Sequence, residues 1–173
     1  PLPGVLRIPC DRKEESRAAL FERRGFAARR IYRRMRRALA EPIPEPELPE
    51  GLRALPYAPS YRDALREAFN ETFSDHWGFE PVTEEDWRLF FIDTEEFRPD
   101  LSWLALAGEE VAGYSINGVN EAECERLGER RAWISQLGVR RPWRKRGVAT
   151  ALLRLSMRSF RDAGLEAAVL GVD

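Results

Sequence analysis

The stretch AWISQLGVRRPWRKRGVATALLRLSMRSFRDAG, running to Gly164, constrains the fold more than any other part of the chain. AWISQLGV reads as an apolar strand. Five cations follow within eight residues: Arg140, Arg141, Arg144, Lys145 and Arg146. Gly147 then opens a long amphipathic helix, with Val148, Leu152, Leu155 and Phe160 on its apolar side and Gly164 as its stop. A strand that turns through a short loop into a helix of this length must lie in a sheet that the helix covers.

The loop itself admits three readings: a nucleic-acid patch, a cradle for a phosphate-bearing ligand, or a solvated basic surface. The first N–H groups of the helix have no intrahelical acceptor, and with the helix dipole they favour an anion. Gly147 has no side chain to hold a ligand away, and Ala149 keeps the next approach small. The loop contains neither GxxxxGK[ST] nor GxGxxG, which excludes a Walker loop and a dinucleotide fingerprint. On the loop alone a solvated surface is the simpler reading; the flanking strand and helix favour the cradle.

Composition narrows the choice. The 173 residues are 43% hydrophobic and 33% charged, with a net charge of −1. That describes a globular chain with one core and argues against a surface coated for nucleic acid. Lysine occurs only at Lys13 and Lys145, an arginine bias that a GC-rich genome explains. One histidine and two cysteines without a CxxC give no zinc site and no disulfide framework. No signal peptide and no bilayer-length apolar run is visible, so the expectation is a cytoplasmic protein with no membrane partner.

Apolar spacing and turn residues supply the other elements. EPIPEPELPE, with four prolines in ten residues, reads as a stiff linker between a short arginine-rich piece and a longer one. In the short piece EESRAALFERRGF reads as a helix stopped by Gly25. ARRIYRRMRRAL fits a helix by the spacing of Ile31, Tyr32, Met35 and Leu39, and a strand remains open. After the linker come a strand at LRALPY and a helix at SYRDALREAFNETF, expected to start at Ser60 with Asp63 completing a capping box. A second helix at VTEEDWRLFF is capped by Thr83. LSWLALAGEEVAGYSING is a hairpin about Gly108, and Asn117 to Arg131 reads as a loop. EAAVLGVD is a last strand. The expected fold is α/β (α+β type), a mixed, mostly antiparallel sheet with helices on both faces.

With these elements in place, Arg144-Lys145-Arg146-Gly147-Val148-Ala149 resembles the Q/R-x-x-G-x-G/A signature of the GNAT superfamily of acetyl-CoA-dependent N-acetyltransferases. The resemblance covers residues 52–173, and 132–153 carry most of it. It implies acetyl transfer from acetyl-CoA to a small-molecule or peptide primary amine by direct attack, with no metal. It implies pyrophosphate contacts from Arg144, Lys145, Arg146, Gly147, Val148, Ala149 and Thr150. It also implies that the family's fourth strand splays from its fifth, so that Leu137 and Val139 pair with the pantetheine arm. A backbone N–H of that strand would polarise the thioester carbonyl. The alternative is a non-catalytic acyl-CoA-binding or interaction module.

Two departures qualify this. LFERRGF resembles the family's segment from its last helix into strand six, and RRIYRRMRRAL its strand seven, yet both precede the rest. Residues 1–38 thus read as the back of one GNAT domain, 39–51 as linker, and 52–173 as the front of another. The two pieces could instead complete each other, within the chain or in a homodimer, or be completed by a second GNAT domain. The gap to bridge is roughly 24 Å and residues 39–51 span roughly 40 Å in polyproline form. Phe21 stands where the family often carries the tyrosine that protonates the leaving thiolate.

For the acceptor side, NETFSDHWGFEP gathers Glu71, Asp75, His76 and Glu80 as candidate bases among Phe73, Trp77 and Phe79. His76 could equally be a surface turn residue, and lid packing explains the aromatics at least as well. Ser135 and Gln136 are further polar candidates, with inward packing as the other reading.

Overall fold

The computed structural model describes residues 6–11 and 13–172 and divides into two compact units, one ending at Arg33 and one spanning Arg34–Val172. In the first, helix α1 spans Glu15–Arg23. Gly25 ends it at φ +85°. The Phe26 N–H reaches back to the Phe21 carbonyl at 3.1 Å, and the two rings meet at 5.7 Å. Phe21 is therefore half of the apolar clasp that closes the helix. No strand forms at residues 26–32.

The second unit is built on one six-stranded sheet. Its strands are β1 (Arg33–Ala38), β2 (Arg53–Pro56), β3 (Trp103–Ala107), β4 (Glu110–Gly118), β5 (Arg131–Val139) and β6 (Ala167–Val172), in the order β1-β6-β5-β4-β3-β2. Pairings β2–β3, β3–β4 and β4–β5 are antiparallel, and β5–β6 is parallel. The strand reading of RRMRRA therefore holds over its helical spacing. β1 lies beside β6, and the Leu39 N–H donates to the Glu166 carbonyl at 2.9 Å.

Helices cover both faces because β4 buries both. Tyr114 and Ile116 face α2 (Arg62–Phe73) and α3 (Glu84–Trp87), while Ser115 and Asn117 face α5 (Val148–Asp162). The buried polar side chains there satisfy one another. Asn117 donates to Ser156 at 2.9 Å and accepts from Ser115 at 2.9 Å, and Ser156 donates to Ser115 at 3.0 Å.

Three local readings change. Ser60 does not cap α2: it lies within a 3-10 turn, Pro59–Tyr61, and the cap position falls on Tyr61 without a side-chain bond. The second helix is short and runs into a π-helical turn, Arg88–Ile92, although Thr83 does accept from the Asp86 N–H at 3.1 Å. The supposed loop before β5 contains helix α4, Glu121–Leu127, capped by Asn120 and closed by Gly128 at φ +64°. Both end signals stand in the sequence; seven residues were too few to show a period.

The proline-rich segment belongs to the second unit and is docked against α5. Ile43 is buried, and α5 holds the segment through Arg158 to Glu45 at 2.6 Å and Arg154 to the Glu45 carbonyl at 2.9 Å. Among the described residues no helix is long and apolar enough to cross a membrane.

Candidate functional site

The site begins with one extra residue in β5. Ile116 of β4 faces Gln136 and Asn117 faces Ile134, so Ser135 has no opposite number. This is a β-bulge, which bends its strand and breaks the ladder. Pairing with β6 ends at the same place, with Ile134 opposite Leu170. From Ser135 to Val139 the strand has a neighbour only on the β4 side.

That free edge carries hydrogen-bonding groups. The Arg140 N–H donates to the Ala112 carbonyl at 2.9 Å, which makes 138 and 136 the residues bonded to β4. The backbone groups of Leu137 and Val139 then point away from β4, into the opening. The Val139 carbonyl confirms the direction by accepting from Arg144 Nε at 3.0 Å. Gly138 lies over Tyr114: a methyl group at this position would fall inside the tyrosine hydroxyl. That hydroxyl is bonded to Thr72 at 2.5 Å, and burial pushes its pKa upward, so it stays neutral.

The strand leads to the open end of α5. Lys145 at φ +59° and Gly147 at φ +87° both take left-handed backbone, which turns successive N–H groups to one side. Gly147 caps α5 without a side chain, and the first turn holds no acid. The Ala151 N–H bonds to Gly147, leaving those of Val148, Ala149 and Thr150 without an intrahelical acceptor. A Cβ on Gly147 would meet nothing within 4 Å, so the space before these donors is open.

Three of the five loop cations are engaged with other elements. Arg140 pairs with Glu71 at 2.6 Å and with Glu110. Arg141 pairs with Asp75 at 2.7 Å, and Arg144 reaches both Asp75 at 3.6 Å and the Thr72 carbonyl at 3.3 Å. They tie the loop to the end of α2. Arg146 lies over the Trp143 ring at 4.7 Å, and Lys145 is exposed. A pair of bridged phosphates fits this cradle: bare N–H groups, no acid, open space and two nearby cations.

Two cavities adjoin the bulge. One, of about 490 Å³, is lined about equally by apolar side chains (Phe90, Phe91, Phe97, Ile116) and polar ones (Thr94, Glu95, Asn117, Gln136). The other, of about 610 Å³, is walled by Asn120, Ala122, Glu123, Arg126 and Trp133. Glu96 and Ser135 line both.

The acetyltransferase (GNAT) family model matches residues 62–173. The chain belongs to this family. It is 31% identical over 179 residues to a mycothiol acetyltransferase of Streptomyces bingchenggensis, and 28% identical over 183 residues to one of Acidothermus cellulolyticus. These matches take in 97% and 98% of this chain but 54% of each relative, so the chain spans about half their length. Among solved structures, a GCN5-related N-acetyltransferase from Sphaerobacter thermophilus superposes with a TM-score of 0.72 at 29% identity, over 94% of this chain and 48% of that one. An aminoglycoside acetyltransferase from an uncultured soil metagenomic sample shares the fold, with a TM-score of 0.59 at 16% identity over 73% of this chain and 81% of that one.

Within the GNAT frame the structure distributes the expected residues unevenly. The loop, the start of α5 and the free edge of β5 form one continuous path from Thr150 back to Leu137. Val148 contributes only its N–H, since its side chain is buried under β4. The other group is not brought together. Glu71 and Asp75 pair with loop arginines, the His76 ring lies 4.5 Å from that of Phe73 at a tilt of 44° on the surface, and Glu80 is exposed. None of the four lines either cavity. Phe79 packs with Phe69, as lid packing requires. Nothing in the sequence marks Glu96, Asn120 or Trp133 as lining a cavity: FIDTEEFRPD around Glu96 carries no period and no motif, Asn120 reads only as a helix cap, and Trp133 reads only as a strand residue.

Proposed function

We propose that the chain binds acetyl-CoA in the opening beside β5 and transfers the acetyl group to a primary amine by direct attack. The observation that carries this reading is the parting of β5 from β6 at a bulge that leads into an uncapped helix N-terminus. The N–H groups of Val148, Ala149 and Thr150, with Lys145 and Arg146, would take the pyrophosphate. The groups of Leu137 and Val139 would pair with the pantetheine arm, and Arg144 would yield the Val139 carbonyl to it. A backbone N–H on the same edge would polarise the thioester carbonyl. The neutral amine nitrogen bonds to the acetyl carbon as the C–S bond breaks; the amine loses one proton to solvent water, and solvent protonates the departing thiolate. Positioning and electrostatics suffice, and no covalent enzyme intermediate is required. Calorimetric titration with acetyl-CoA, followed by mass analysis of amines incubated with protein and acetyl-CoA, tests the reading. Absence of binding sinks it.

A second reading, a non-catalytic acyl-CoA-binding module, has one observation in its favour. If LFERRGF is the segment it resembles, Phe21 stands where the family often carries a proton-donating tyrosine, and its ring packs on Phe26. Tight acetyl-CoA binding without turnover of any amine would decide for it.

We also propose the tandem arrangement: residues 1–38 as the back of one GNAT domain, 39–51 as linker, 52–173 as the front of the next. The near-complete match of this chain to about half of each longer relative supports it. The position of β1 beside β6 equally suits completion of one sheet by both pieces. An intact mass of the native protein near 19.9 kDa would count against the tandem form.

A further inference from the structure

The open edge of β5 is already partly engaged. Leu137 and Val139 turn their N–H and C=O groups toward the opening, and one of these groups has a partner within the protein. The Val139 carbonyl accepts from Arg144 Nε at 3.0 Å. Among the described residues, Arg144 is the one side chain bonded to this backbone.

The same guanidinium is held at its other two corners. One Nη donates to the Thr72 carbonyl at 3.3 Å, and the other lies 3.6 Å from Asp75. Arg144 therefore bridges the open edge to the end of α2. The other loop arginines stay off that edge: Arg140 and Arg141 pair with carboxylates, and Arg146 lies over Trp143. The Arg144 side chain is 38% exposed, so it can swing away without opening the core.

A ligand that lays an amide along this edge needs the carbonyl that Arg144 holds. Its N–H must replace the guanidinium, and a neutral bond then stands where a charge-assisted one stood. That exchange is unfavourable unless the freed cation meets an anion. A pyrophosphate is such an anion. Arg144 precedes Gly147 by three residues, and the bare N–H groups of α5 begin at Val148. A thioester with the pantetheine arm and no pyrophosphate brings Arg144 no new partner.

We infer that Arg144 is a specificity-determining latch, closing the Val139 carbonyl to thioesters that lack a pyrophosphate and yielding it to coenzyme A thioesters, whose phosphates draw the guanidinium away. This inference rests on the acetyl-CoA reading of the site. Selectivity requires the guanidinium to change partners, because a ligand shifts an equilibrium only through its differential affinity for the two states. An arginine that merely blocked the carbonyl would weaken both classes of thioester alike. One that moves onto the phosphates disfavours only the class without them.

The test measures dissociation constants of acetyl-CoA and acetyl-pantetheine by calorimetry on the full-length native protein, the weaker ligand by displacement. In Arg144→Ala, acetyl-pantetheine should bind about threefold or more tightly, while acetyl-CoA should bind about three- to tenfold more weakly. Arg144→Met keeps a long apolar stem without a donor and should give the same opposed shifts; it decides the matter if Arg144→Ala does not fold. General damage to the site would weaken both ligands. Acetyl-pantetheine binding that is unchanged or weaker overturns the latch. Tighter binding of both ligands, or acetyl-CoA binding that fails to weaken, overturns the exchange of partners and with it the selectivity. No binding of acetyl-CoA to the unsubstituted protein would instead bring down the acetyl-CoA reading itself.

Discussion

The two halves of β5 share a backbone and differ in what borders them. Residues 131–134 pair with β6 on one side and belong to the closed sheet, with Ala132 fully buried. Residues 135–139 pair with β4 alone. One unpaired residue, Ser135, separates the halves. Every backbone group of a central strand is normally consumed by its neighbours. Displacing one neighbour at a bulge leaves alternate N–H and C=O groups available, and a strand inside the sheet gains a free edge. The same sheet supplies rigidity in one half and unused hydrogen-bonding capacity in the other.

Substitutions in the two halves should separate affinity from stability. The largest effect is expected where the open half ends. Gly147→Glu puts an anion into the space before the α5 N–H groups and forces a side chain into left-handed backbone. Acetyl-CoA affinity should fall on the order of 100-fold or more, about 2.7 kcal/mol, by calorimetry. Stability should fall by only about 1–2 kcal/mol, the cost of a side chain at φ +87°, because its Cβ meets nothing.

Gly138→Ala, in the open half, should lower both. Its methyl group collides with a buried tyrosine hydroxyl held by Thr72, at a cost of about 1–3 kcal/mol in urea unfolding. Combining it with Tyr114→Leu should recover part of that loss. In the closed half, Ala132→Leu should cost a similar ~1–3 kcal/mol by overpacking, while the folded fraction binds acetyl-CoA normally. A loss of affinity in Ala132→Leu matching that in Gly147→Glu would erase the distinction.

Smaller effects are expected from the arginines that tie the loop to α2. Arg140→Ala releases the partly buried Glu71 and the exposed Glu110, and should cost ~0.2–1 kcal/mol with a modest loss of affinity. Arg141→Ala breaks an ion pair whose side chains are 60% and 55% exposed, and its effect on stability should stay within ~0.5 kcal/mol. Arginine substitutions more damaging than Gly147→Glu would return the loop to a simple basic patch.

The phosphate cradle could be read from the sequence because all its parts are local. A strand, a loop and a helix start lie within Leu137 to Thr150, and glycine backbone and bare N–H groups need no distant partner. The cavities beside the bulge could not. Glu96, Asn120, Trp133 and Ser135 come from three segments that the fold brings together; Ser135 stands out only as a polar residue on a strand and Asn120 only as a helix cap, and no one segment says that they meet. The carboxylates that did stand out, Glu71 and Asp75, were conspicuous through spacing near aromatic residues. The fold gave them to Arg140 and Arg141, which were conspicuous for their charge. Each group had looked like half of a site, and together they make a clamp.

The sequence by itself determined the alternation of strands and helices, the hairpin about Gly108 and the open start of α5. Those depend on side-chain period, turn residues and caps within a few positions. Tertiary structure decided that RRMRRA is a strand despite its helical spacing, that it lies beside β6, and that β5 gains a residue at Ser135. Pairing and register are set by partners far along the chain, through hydrogen bonds that carry no local signature.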